Sequence, residues 1–326
     1  MVADSKTERF MELFYNDTTP NTLWHYTNCD GLLGIVNNRA FTLRFTRSDC
    51  LNDTSEGEEI KQCYDWVCDR LVKDSVISQE FYDAIKNIEP TKEKLLVYPS
   101  PSEENKTLKR KMSVTSISFD KCETYLCCFS GSRDSLDMWR YYTNNDGYSL
   151  GFQTLCFQNL VNKRFDEYTE GAQYNFVQFE PVLYDIIEKN KKLKNIVTEI
   201  YNEFKNKKYN LEMCVVLLKS KINEIQYQFK AECFKSEHEY RLIYYRPISK
   251  PKTMKLELPE IKYRNRNGLI APYVDLTFRA DELKLEQLYI SPFLKGTAAD
   301  EKAREYICTK GFDKCNVIQS NLPVRF

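Results

Sequence analysis

The chain has only two histidines, His25 and His238, no excess of charge of either sign, no Cys-x-x-Cys pair and no apolar run of membrane length. Each shortage closes off a class of function. Lys plus Arg and Asp plus Glu stand at 47 each, so no global field steers the protein toward nucleic acid or an anionic membrane. Without about 20 consecutive apolar residues no helix spans a bilayer, and residues 1–10 carry charge but no signal-like apolar stretch, which predicts a cytoplasmic protein. The twelve cysteines are scattered without a short regular framework, so they read as reduced core residues, and with two histidines no metal is expected. The Lys-rich run 189–208 reads as a solvated helix face.

What the chain has is a core: 42% apolar residues and 13% aromatic ones in 326 residues suffice for one elaborated domain. The opening reads as strand, helix, strand: Leu23 to Thr27, a helix capped by Asn28 or Asp30, then Phe41 to Phe45. Asn52 to Glu56 leads into a helix with Ile60, Tyr64, Val67 and Leu71 on one face. The weak, Pro-interrupted pattern from 74 to 121 predicts a helical excursion and a mobile surface insertion. A buried strand, Thr124 to Ser130, is expected next. A helix around Met138 to Tyr142 and a strand, 148–152, follow. A loose strand at 176–183 precedes a helical insertion, 186–234, in two helices. Strands at 238–246, 269–278 and 287–292, a helix at 298–311 and a strand at 316–326 complete an α+β pattern.

Two stretches concentrate polar groups. In Leu23-Trp24-His25-Tyr26-Thr27, strand alternation puts His25 and Thr27 on one side. In Glu237-His238-Glu239-Tyr240-Arg241 it puts two carboxylates and a guanidinium on one side, an arrangement costly to bury unless the charges pair.

Several separated motifs resemble the bacterial domain-of-unknown-function family 2971. They are His25-Tyr26-Thr27; Asn52-Asp53 with Glu56; Cys128-Phe129-Ser130; Met138-Trp139-Arg140-Tyr141-Tyr142 with Gly147; and Phe234-Lys235 with Glu237-x-Glu239-Tyr240-Arg241. Pro272-Tyr273-Val274, Leu288 to Pro292 and Val317 to Arg325 continue the pattern, with Ser291 standing where that family more usually has glycine. More distantly, the early His-Tyr-Thr strand and the late Glu strand resemble the ADP-ribosyltransferase fold of the His-Tyr-Glu class, with mixed sheets and helical insertions.

That second resemblance implies an NAD-consuming enzyme in bacterial toxin or phage-defence biology. It would cleave the nicotinamide glycosidic bond and pass ADP-ribose to a protein or nucleic acid, NAD being a substrate and no metal being needed. An NAD hydrolase and a catalytically inactive nucleotide-binding sensor are the alternatives. By the resemblance Glu239 stabilises the ribosyl cation, Glu237 orients the acceptor and His25 binds a ribose hydroxyl. Tyr26, Thr27, Asn52, Asp53, Ser130 and Trp139 would line the pocket, with Tyr141 or Tyr142 stacked on nicotinamide. Arg44, Arg47 or Arg140 would meet the pyrophosphate, and Arg241 would offset the paired carboxylates. A metal-dependent nuclease built on Asp53, Glu237 and Glu239 is disfavoured by the balanced charge.

Overall fold

A computed structural model describes residues 19–51, 56–91, 94–99, 117–166, 177–248, 257–266 and 268–324. Its strands are β1 (Thr22–Thr27), β2 (Val36–Asn37), β3 (Ala40–Arg47), β4 (Lys94–Pro99), β5 (Ile117–Ser130), β6 (Tyr148–Gln153), β7 (Val177–Pro181), β8 (Glu239–Pro247), β9 (Lys262–Arg266), β10 (Leu269–Arg279), β11 (Leu285–Ile290) and β12 (Asn316–Gln319). The helices are α1 (Cys29–Ile35), α2 (Glu56–Lys73), α3 (Gln79–Ile85), α4 (Leu136–Thr143), α5 (Thr154–Asp166), α6 (Ile186–Lys205), α7 (Leu211–Ile225) and α8 (Ala299–Thr309). The architecture is α+β, built on one mixed sheet ordered β12-β11-β6-β1-β5-β3-β10-β9, with β2, β4, β7 and β8 as branches.

β5 is the spine of this sheet. One of its edges carries β4 along Ile117 to Cys122, β3 at Tyr125 and Leu126, and β1 at Ser130, while β8 runs along the other edge from Cys122 to Ser130. Its apolar run supplies Tyr125, Leu126, Cys127 and Phe129 to the main core. The alternation is plain in β3 and β10, where Phe41, Leu43, Phe45, Val274, Leu276 and Phe278 are fully buried on one face.

A second core lies among α2, α3, α6 and α7, where Tyr64, Phe81, Leu193, Val197, Leu218 and Ile222 pack together. The Lys-rich helix α6 is not wholly a solvated face, because Lys189 is buried against the Glu59 carboxylate and the Lys230 carbonyl. A third, smaller cluster joins Trp24, Tyr26, Met138, Trp139 and Tyr289. Here Gly151 is forced by close approach: a Cβ would stand 2.5 Å from Cζ3 of the Trp24 ring.

Several boundaries differ from the expectation. β5 begins at Ile117, and β4 occupies part of the stretch expected to be a surface insertion, since its Lys94–Pro99 run pairs with the start of β5. The expected mobile loop otherwise falls on 100–116, outside the described residues. The second insertion helix stops at Ile225, not 234, because Phe229 leaves the helical path to bridge Leu183. β8 starts at Glu239. His238 has a left-handed backbone, φ 44°, which ends a 3-10 turn over Glu232–Glu237 and redirects the chain into the strand.

Candidate functional site

Glu237 therefore precedes the strand that carries Glu239, and Lys230 is what joins them. The Lys230 ammonium donates to Glu237 Oε2 at 2.5 Å and to Glu239 Oε2 at 2.8 Å. Arg241 grips Glu239 through both oxygens, Nε to Oε1 at 2.8 Å and Nη2 to Oε2 at 3.1 Å, and its Nη1 donates to the Tyr227 carbonyl at 2.7 Å. Glu239 is 5% exposed and Arg241 1%. Two carboxylates and two cations thus form a charge-balanced unit, with Lys230, Glu239 and Arg241 buried and Glu237 at its edge, which is how the sequence meets the cost of burying so polar a face.

Burial alone would push the Glu239 carboxyl up, but the Arg241 guanidinium and the Lys230 ammonium outweigh it and hold its pKa at about 2. Burial likewise opposes the Lys230 charge, and the Glu239 and Glu237 carboxylates reverse that and raise its pKa. The Cys128 thiol, beside Glu239, is pushed well up by burial and then by that carboxylate, so it stays protonated.

Aromatic hydroxyls complete the cluster. Tyr142 donates to Glu237 Oε1 at 3.1 Å, and the Glu239 backbone N–H donates to the Tyr184 hydroxyl at 3.0 Å. Of the two tyrosines left open by sequence, Tyr142 therefore faces the carboxylates, whereas Tyr141 is 78% exposed. Ser130 belongs here as a fastener: its hydroxyl donates to the Glu237 carbonyl at 2.6 Å and accepts from the Ser132 N–H at 3.0 Å. Beside the cluster an open depression of about 240 Å³ is lined by Pro20, Gly131, Pro181, Tyr184, Glu239 and Tyr240, among others.

His25 does not join this group. Trp24 pairs with Ser130 and Ser130 with Glu239, so these three share a face, and His25 projects from the reverse one. Its ring lies 5.4 Å from that of Phe129, and its Nδ1 donates to the Cys128 carbonyl at 2.9 Å. That bond occupies the stretch of β5 edge between the pairings with β3 and β1. Burial lowers the His25 pKa despite the bond to Cys128, so the ring is neutral. The expectation of one cleft walled by His25 and Glu239 is corrected by strand register.

The remaining residues singled out by sequence divide in two. Tyr26 and Trp139 are core: Tyr26 donates to the Ser132 carbonyl at 2.8 Å and accepts from the Ser135 N–H at 3.0 Å, with its ring 4.8 Å from that of Trp139. The Trp139 indole donates to Asp134 at 2.7 Å, and the Ser320 hydroxyl donates to the same carboxylate at 2.9 Å. Thr27 lies on the His25 side of β1, its side chain pressed against Gly31. Arg140 is exposed on α4. Arg44 is on β3, two strands along from β8, over the Tyr273 ring at 4.3 Å. Arg47 pairs with Asp49 and Glu123. Asn52 and Asp53 lie outside the described residues.

Sequence reasoning missed Lys230 and Tyr184. Lys230 stands in a stretch that reads as the tail of a helix, and only its seven- and nine-residue reach to Glu237 and Glu239 reveals its part. Among the described residues no group of three or more His, Cys, Asp or Glu could hold a metal ion, and no helix is long and apolar enough to cross a membrane.

No curated protein and no solved structure matches the chain. One family profile does match, over residues 138–242, a span that holds Tyr142, Tyr184, Lys230, Glu237, Glu239 and Arg241. That span matches the family described as Protein of unknown function (DUF2971).

Proposed function

We propose that the protein is an ADP-ribosyltransferase-like enzyme that consumes NAD, cleaving the nicotinamide glycosidic bond and transferring ADP-ribose to a macromolecule. The observation that carries this reading is the assembly of Tyr142, Glu237 and Glu239 around Lys230 beside an open, aromatic-edged depression. Cleavage passes through a ribosyl cation, which a fixed carboxylate stabilises only if it can approach the ribose. Of the two carboxylates Glu239 lines the depression, while Glu237 next to it is the more exposed, its side chain 14% accessible and its Oε1 accepting from a tyrosine hydroxyl that a ribose hydroxyl can displace. Glu239 then acts through Lys230, holding the ammonium against Glu237. At about 240 Å³ the depression is below the roughly 300–1,000 Å³ of sites for drug-sized ligands, so it suits a ring-sized part of the dinucleotide. His25 does not line this pocket.

One observation favours a second reading, a catalytically silent nucleotide sensor. Glu239 is paired twice over, by Arg241 and Lys230, leaving little uncompensated negative charge for a cationic transition state. Incubation of the protein with NAD, following nicotinamide release, separates the two. The enzyme reading expects release by the wild type, loss in Glu237→Gln and Glu239→Gln, and retention in Arg140→Ala. Binding of NAD with an intact pool supports the sensor, and absence of both binding and release refutes both.

A further inference from the structure

The sheet carries a second charged feature, on the polar face of β3, β10 and β9. Register places Arg44 and Thr46 of β3 opposite Asp275 and Tyr273 of β10, and Tyr273, Ala271 and Leu269 opposite Lys262, Arg264 and Arg266 of β9. All these side chains share a face, because the reverse one is the fully buried apolar row of β3 and β10. Among the described residues four cations therefore meet one acid on this face, Asp275, which is already engaged by Lys262 at 3.1 Å and Arg44 at 3.7 Å, while Glu260 also acts on Lys262.

Arg264 is the unusual member. The small side chain of Ala271 lets it lie across β10, so that its Nη2 reaches the Thr46 hydroxyl at 2.8 Å. Its Nε is buried and, among the described residues, has no hydrogen-bond partner. Burial lowers its pKa, and the next two influences, the Arg44 and Arg266 guanidiniums, act in the same direction. A buried guanidinium N–H left without an acceptor and close to like charge is a cost that an anionic acceptor relieves on both counts.

We propose that this face is a binding site for a phosphate or pyrophosphate group of a small molecule, with Arg264 as the fork at its floor and Arg44 as its more exposed second arm. A guanidinium fork matches phosphate oxygens, and the single acid is too occupied to substitute for one. A nucleic-acid strand fits less well. Such strands need a longer cationic track and free aromatic faces, whereas the Tyr273 ring is covered by Arg44. The site is distinct from the carboxylate cluster, since β9 is the third strand beyond β5, and it does not rest on the NAD reading.

The test is calorimetric titration of the whole protein with inorganic pyrophosphate, with a short single-stranded oligonucleotide as the competing probe. Wild type should bind pyrophosphate, Arg264→Lys should weaken it roughly tenfold or more, as expected for loss of a charge-assisted fork, and Lys302→Ala, at an exposed position of α8, should leave it unchanged. Arg44→Ala, at an exposed position outside the core, should weaken it several-fold. The proposal is overturned if pyrophosphate gives no binding at millimolar concentration, or if neither arginine variant changes the affinity. It is equally overturned if only the oligonucleotide binds.

Discussion

Protonation of Glu239 gives the sharpest test of the buried charge cluster. The carboxyl, ordinarily near 4.5, is held at about 2 in the fold. A depressed folded-state pKa contributes stability that is complete above the unfolded value and is lost as pH falls toward the folded one. At about 1.4 kcal/mol per factor of ten, the full contribution is roughly 3 kcal/mol, of which about 2 kcal/mol should be gone by about pH 3. Urea unfolding followed by tryptophan fluorescence, from about pH 6 to about pH 3, measures it. Glu239→Gln should be less stable near neutrality by about 3–5 kcal/mol, because Lys230 and Arg241 lose the shared partner that neutralises them. Its stability should also fall less steeply in acid, the gap to wild type closing by about 2 kcal/mol over that range. Other carboxylates titrate in both proteins, so the difference isolates this site. Parallel acid profiles for the two proteins would refute the reasoning.

Other perturbations follow from single contacts. His25→Ala leaves the Cys128 carbonyl without its donor and should lower stability by about 1–3 kcal/mol in chemical denaturation, while nicotinamide release, if present, persists. Gly151→Ala drives a methyl into the Trp24 ring, and a loss of about 1–3 kcal/mol with an altered tryptophan spectrum is expected. Asp134→Ala removes the acceptor shared by Trp139 and Ser320; limited proteolysis should find the segment after β12 loosened, with about 1–3 kcal/mol lost.

Where the pattern was periodic, the sequence announced the fold. The cores of β1, β3, β5, β6, β8 and β10 read directly from their apolar alternation or apolar runs, and α6 and α7 from their helical stripes. β4 escaped because its run lies between prolines and charge, and only pairing with β5 explains its place. The cluster around Glu239 was legible in part: Glu-x-Glu-x-Arg signals charges in need of partners. It could not reveal Lys230, which comes from a chain segment that leaves its helix early. His25 was misplaced for a different reason. A strand motif fixes which side chains share a face of that strand, whereas the face presented to another strand depends on register, and the pairing of Trp24 with Ser130 decides it.

That pairing is one of several set by β5, and their common origin bears on how the protein folds. β4, β3 and β1 follow one another along a single edge while β8 occupies the other. These partners come from sequence positions more than two hundred residues apart, so most of the sheet closes through distant contacts and folding should be slow for the chain's length. A one-residue slip of β5 would misalign all four partners together and carry Ser130 to the wrong side of the sheet. Register errors here are therefore all-or-none, and the central strand acts as a proofreading gauge against which every neighbouring segment is aligned.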